Sequence, residues 1–220
     1  MNKDAPLIAV YGRRGSGKTT RVKALVKDAP AVLVFDPRDE YAAELSMRRV
    51  SGEGHDWAGD LVRAIQADWQ GRPWVSFVPA PGREDEQLHR VASLLWRIQA
   101  PYEAGQDDRQ FTLVVEEMDL GYPVSRLPAE LDGMPRLCNQ GRHAGVSIIG
   151  VTQRPANVSA TFRGNVEKMY IFALAWGGDQ SAILQMIGAE RKAQLIALET
   201  HQYIYIDNGK FSIAKNPPIA

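Results

Sequence analysis

The sequence predicts an α/β fold, a doubly wound and mostly parallel sheet, on three observations. Apolar runs of strand length recur at Leu7–Tyr11, Ala31–Phe35, Trp74–Val78, Phe111–Val115, Val146–Val151, Met169–Leu174 and Tyr203–Ile206. Several are rich in Val and Ile without strict polar alternation, the pattern of strands buried on both faces. Helix-length stretches lie between them, and strands alternating with helices imply right-handed crossovers onto a parallel sheet.

Each intervening element has its own signal. From Glu84 to Ile98, Leu88, Val91, Leu95 and Ile98 fall at spacings of three and four, one apolar helical stripe. Asp179–Ile187 and Glu190–Leu198 read as two helices broken at Gly188. Ser51–Asp56 and Pro101–Gln110 are polar and turn-rich, so loops are expected there. No internal repeat or low-complexity tract interrupts the chain. One domain is expected over 1–214, followed by an extended arm at 215–220 that holds two prolines. That arm reads as a loose end or, less favoured, as a strap onto a neighbouring subunit.

At 220 residues and 24.4 kDa the chain can bury a substantial core. Acidic and basic residues are both 26, so no global field draws it to nucleic acid, and any such contact must be a local basic patch. Cys138 is the only cysteine, which excludes an intrachain disulfide and suits a reducing compartment. His55, His89, His143 and His201 lack paired metal-ligand spacing. No apolar run approaches the ~20 residues of a membrane span, and the first residues lack a leader's apolar stretch. A cytoplasmic protein is expected.

The chemistry is announced by Gly12-Arg13-Arg14-Gly15-Ser16-Gly17-Lys18-Thr19, a full G-x-x-x-x-G-K-[ST] match between a predicted strand and a predicted helix. Glycines let the backbone wind so that successive N–H groups face a β-phosphate, and the helix N-terminus adds positive potential. Lys18 is expected to bridge the β- and γ-phosphates, Thr19 to coordinate Mg²⁺, and Thr20 to complete the ATP cradle. Arg13 and Arg14 either neutralise phosphates or are solvated. The motif in this context defines a P-loop NTPase core.

Such a core needs carboxylates beside the metal and the attacking water. Phe111–Val115 ends in Glu116-Glu117, assigned to the metal shell (Glu116) and to the general base (Glu117). Asp is usual at the first position, so Asp119 stays open as a substitute. The strand at 146–151 ends in Thr152-Gln153-Arg154-Pro155. Alone, Gln153 could cap a helix or sit in a loop. After a P-loop and an acidic strand, it can hydrogen-bond both γ-phosphate and attacking water.

Together these pieces resemble the HerA–FtsK superfamily of DNA-pumping ATPases, over nearly the whole chain. Asp36-Pro37-Arg38-Asp39-Glu40-Tyr41 looks like the DP-x-x-EY segment of its HerA branch. Gly141-Arg142-His143-Ala144-Gly145 resembles its Arg-x-x-Gly element, and Thr152–Pro155 its TQRP signature. Gly164-Asn165-Val166, Phe172 and Asp179-Gln180-Ser181 echo the stretch that follows in FtsK-like motors. The resemblance implies a RecA/ASCE-like core, a homo-oligomeric ring, expected to be a hexamer, and nucleotide between subunits. Arg142 matches the arginine such motors insert into a neighbour's site, with Arg163 and Arg154 in reserve. Double-stranded DNA is the expected polymer, gripped by pore residues for which Arg126 and Arg136 are candidates. No winged-helix segment or extra domain is read in the chain. A bare core of this size looks like viral and proviral genome-packaging ATPases, in a host cytoplasm or at a virion vertex, docked on a portal or membrane protein. The alternatives are an assembly protein of the zonula occludens toxin type and, less favoured, a small-molecule nucleotide kinase.

Overall fold

The computed structural model describes residues 5–125 and 128–216. Nine strands form one sheet: β1 (Leu7–Tyr11), β2 (Ala31–Phe35), β3 (Arg48–Ser51), β4 (Trp74–Val78), β5 (Phe111–Val115), β6 (Val146–Thr152), β7 (Lys168–Phe172), β8 (Gln202–Asp207) and β9 (Lys210–Lys215). Their order is β3-β4-β2-β5-β6-β1-β7-β8-β9. The seven strands from β3 to β7 are mutually parallel, and β8 and β9 close the far edge antiparallel.

Among the described residues, ten α-helices accompany the sheet: α1 (Lys18–Val26), α2 (Tyr41–Glu44), α3 (Trp57–Ala67), α4 (Glu84–Ile98), α5 (Ala100–Glu103), α6 (Met118–Gly121), α7 (Gly133–Gln140), α8 (Ala160–Asn165), α9 (Gly177–Ile187) and α10 (Lys192–Ile196). Alternate β1 residues point to opposite faces. Leu7, Ala9 and Tyr11 join a core with Leu61 of α3, Leu88 and Leu95 of α4, Met134 of α7 and Ile183 of α9. Ile8 and Val10 join a second core with Val22 and Val26 of α1 and Tyr41 of α2. Helices on both faces make the sheet doubly wound, as the unbroken apolar runs require.

Two strands were not read from the sequence. In β3 only Val50 is buried, and two exposed arginines precede it. In β9 no residue is fully buried, so neither strand has an apolar run. Ser51, placed in a loop by its polarity, ends β3, and Pro101, Tyr102 and Glu103 lie in the helix α5 rather than a loop. Gly188 does break the helices around it, at φ 100. The second of those helices begins with a 3₁₀ turn at Ala189–Arg191 before α10. Lys215, expected to open the arm, is the last residue of β9. Residues 217–220 lie outside the described residues.

Registers put the functional loops on one edge. Tyr11 is level with Thr152 and Ile171, Val115 with Gly150, and Phe35 with Val115. The segments that follow β1, β2, β5 and β6 therefore emerge together, at the carboxyl ends where open α/β sheets bind ligands.

Candidate active site: a phosphate loop facing two acids and a glutamine

The loop after β1 is pinned on both sides. Gly12 N–H donates to Thr152 O at 3.2 Å and Arg13 N–H to Ala173 O at 2.8 Å. At Gly12 a Cβ would lie 2.6 Å from Phe172 Cβ, so the backbone passes too close to β7 for any side chain. Gly17 combines φ 103 with a Cβ position 2.7 Å from Asn216 Nδ2, so both torsion and space demand glycine. α1 then starts without a side-chain cap and with no acid in its first turn. Its first N–H groups and its dipole are left for an anion.

Two polar groups in the loop suit a polyphosphate. Ser16 Oγ is buried without a hydrogen-bond partner among the described residues. Lys18 Nζ donates to Gly12 O at 2.8 Å and Arg13 O at 3.1 Å, folding the ammonium across its own loop with one N–H to spare. Burial pulls the Lys18 pKa down, and Glu116 and Glu117 pull it back up. An orphaned hydroxyl and a desolvated ammonium at the uncapped N-terminus of α1 fit a phosphate chain.

The two acids end β5 in different environments. Glu116 adds one bond to the β5 ladder, its N–H donating to Phe35 O at 3.0 Å, and its carboxylate accepts a hydrogen bond from the Tyr41 hydroxyl. Burial pushes its pKa up to about 7, while Tyr41 and Lys18 act to lower it. Tyr41 is itself held by Asp36, whose Oδ2 accepts Tyr41 N–H at 2.9 Å and Ser76 Oγ at 3.1 Å. Asp36 is fully buried, so the DP-x-x-EY segment is a turn locked from inside. No cluster of three His, Cys, Asp or Glu side chains occurs among the described residues. A single carboxylate plus the Thr19 hydroxyl matches the donor set of a Mg²⁺ that keeps waters and takes phosphate oxygens.

Glu117 takes φ 47, the left-handed region, and caps α6. That torsion costs about 1–2 kcal/mol in a non-glycine residue. It turns the carboxylate away from Glu116 and towards Gln153, whose Nε2 donates to Glu117 Oε1 at 3.4 Å. The same oxygen pairs with Arg38 Nη2. Asp119, the substitute considered for Glu116, is engaged elsewhere, accepting from the Thr152 hydroxyl. Thr152 Oγ1 also accepts Arg154 N–H at 2.8 Å, which sets the turn that presents Gln153. Arg154 leans away, 3.4 Å from the buried Asp179 of α9.

Arg142 is not part of this constellation. It lies in the 3₁₀ turn Gly141–Ala144 before β6, whereas Gln153 follows the last residue of that strand. Seven strand residues separate the ends of β6 by about 20 Å. Arg142 is exposed beside a cleft of about 610 Å³ with Asn139, His143, Asn165 and Glu167. Arg163 has its Nε buried without a partner among the described residues, within electrostatic reach of Tyr11. Arg136 stacks on Trp96 at 4.0 Å, and Arg126 lies outside the described residues.

One set of contacts had no sequence signal. Asn216, just past β9, donates from Nδ2 to Gly17 O at 2.8 Å and accepts from Arg21 Nη2 at 2.8 Å and Nε at 3.1 Å. Arg21 also donates to Tyr203 OH at 2.8 Å and lies over the Tyr203 ring. The C-terminal hairpin is thereby fastened to the last turn of the phosphate loop.

No protein-family model matches the chain, and no curated protein sequence matches it significantly. Solved structures with the same fold do exist. The genome packaging NTPase B204 of Sulfolobus turreted icosahedral virus 2, solved with AMP, is 17% identical at TM-score 0.72, covering 99% of this chain and 100% of that one. The DNA-packaging ATPase B204 of Sulfolobus turreted icosahedral virus is 15% identical at TM-score 0.68, covering 98% and 100%. VirB4 of Thermoanaerobacter pseudethanolicus is 11% identical at TM-score 0.71, covering 100% and 91%. The chain therefore has the α/β core of P-loop NTPases, end to end. Among the described residues, no helix is long and apolar enough to cross a membrane.

Proposed function

We propose that this protein is an ATP-hydrolysing motor that moves double-stranded DNA as a ring, in the packaging of a viral or proviral genome. The observation that carries the reading is the convergence of Lys18, Glu117 and Gln153 on one edge, with Gln153 3.4 Å from Glu117 across the β5–β6 boundary. Full-length likeness to packaging NTPases that were solved with AMP or ATP-γS supports both nucleotide and task.

In this reading the loop from Gly12 to Thr20 holds the triphosphate through its N–H groups and Lys18. Thr19 and Glu116 would hold Mg²⁺, which when bound would supply charge screening for the triphosphate. Glu117 accepts the proton of a water as its oxygen bonds the γ-phosphorus. The bond from that phosphorus to the β–γ bridging oxygen breaks, and diphosphate keeps the electron pair. Gln153 hydrogen-bonds the γ-phosphate and the water, so its partners change on cleavage. Arg142 is too far from its own site and serves a neighbour's, where its planar donors meet charge developing at the γ-phosphate. The molecule works in a host cytoplasm or at a virion vertex, docked on a portal or membrane protein.

The deciding measurement is the ATPase rate with and without duplex DNA, alongside the mass of the assembled species. Stimulation by DNA in an oligomer is expected. ATP hydrolysis indifferent to DNA would move the protein to the scaffold class, and phosphate transfer to an acceptor would make it a kinase.

A further inference from the structure

Arg38 is the third residue after β2, in a turn that Asp36 fixes through Tyr41 N–H and Ser76 Oγ. Its guanidinium pairs with Glu117, the proposed general base. It also lies near enough to Lys18 for its positive charge to oppose that ammonium. The Arg38 side chain is 46% exposed and the Glu117 side chain 16%, so the cation is free to leave while the carboxylate stays. In this arrangement Glu117 Oε1 receives both Arg38 and Gln153, and a carboxylate oxygen so engaged is poorly placed to take a proton from water.

We infer that Arg38 is a γ-phosphate-binding residue acting within its own subunit, which masks Glu117 without triphosphate and exposes it when the γ-phosphate takes the guanidinium. The inference rests on reading the Gly12–Thr19 loop as an ATP site. A terminal phosphate carries more charge than a carboxylate and accepts the same planar fork, so it competes well for the arginine. Two neighbouring cations, Lys18 and Arg38, repel each other until a polyanion lies between them. A diphosphate offers no γ-oxygens, so Arg38 then stays on Glu117. Base activation is thereby tied to the presence of the bond to be cleaved.

The test is binding without turnover: titration of Mg²⁺-ADP and Mg²⁺-AMPPCP onto the wild type, R38A and R38K. R38A should weaken AMPPCP by about tenfold or more, the loss of one charge-assisted hydrogen bond, and leave ADP within about twofold. R38K should recover part of the AMPPCP affinity. Glu117→Gln removes the competing carboxylate and should tighten AMPPCP, a gain that disappears in the R38A background. If R38A melts early, R38Q carries the same comparison at nearly constant side-chain length. Equal weakening of both nucleotides, or an unchanged ratio between them, would overturn the role of Arg38 while leaving the ATP site intact. A wild type that binds neither nucleotide would overturn the site reading and this inference with it.

Discussion

Glu116 and Glu117 are chemically identical neighbours, and one backbone torsion separates their environments. Glu116 continues the β5 ladder through its N–H and meets Tyr41, whereas Glu117, at φ 47, lies beside Gln153 and Arg38. Glu116 has a pKa raised to about 7 against its ordinary 4.5. Between those values the folded protein binds a proton that the unfolded chain does not. Without Mg²⁺, stability from this group is therefore greatest at low pH and falls as pH rises from about 4.5 to 7. The difference between wild-type and Glu116→Gln melts in a chelator should show this slope, because the opposite slope of His89, whose burial lowers its pKa to about 4, is common to both proteins. Identical slopes in the two proteins would refute the buried carboxyl. Lys18→Ala should abolish phosphate release, because its ammonium is the cation folded across the loop onto Gly12 O and Arg13 O, whereas Arg13 and Arg14 are exposed. Glu117→Gln should instead bind ATP and fail to cleave it, and normal turnover would mean that the base lies elsewhere.

Among the elements, α1 and β9 are joined by Asn216 although 199 positions separate it from Gly17. Cutting that side chain leaves Gly17 O and the Arg21 guanidinium without a shared partner. Asn216→Ala should then lower stability by about 1–2 kcal/mol, the loss of hydrogen bonds at groups that each keep another partner, Arg21 N–H for Gly17 O and Tyr203 OH for Arg21. Nucleotide affinity should fall with it, since the last turn of the phosphate loop loses its brace. A variant that melts and binds like the wild type would show the hairpin to be an independent edge. The β9 edge was illegible for a physical reason: half-exposed on both faces, it needs no apolar run, and its position is set by pairing with β8. β3 was missed for the same reason, with a single buried valine against β4. By contrast, β1, β2, β4 and β5 have both ends where the apolar runs put them, since burial on both faces favours apolar residues and admits a polar one such as Ser76 where it finds a partner, here Asp36.

For the whole molecule, the placement of Arg142 on the opposite edge from Gln153 makes the site of a lone chain incomplete in the proposed mechanism. Mixing Arg142→Ala subunits with Glu117→Gln subunits should restore part of the ATPase activity, because some interfaces then pair an intact arginine with an intact base. No rescue at any ratio would count against an arginine supplied by a neighbour. Arg154 is the less suitable reserve, being drawn towards Asp179 and stacked over Trp176 at 5.6 Å.

What the amino-acid order alone determined was local: which runs must be strands and where a glycine-rich loop must wind. Those signals are short-range, written within a turn or a strand, because periodicity and backbone torsion act over a few residues. Only the tertiary structure decided which carboxylate meets Tyr41 and which meets Gln153, that Arg38 crosses from β2 to the end of β5, and that the chain's far end fastens the phosphate loop. Those facts depend on strand order, and neighbouring strands in this sheet are often distant in sequence, so no local pattern records them.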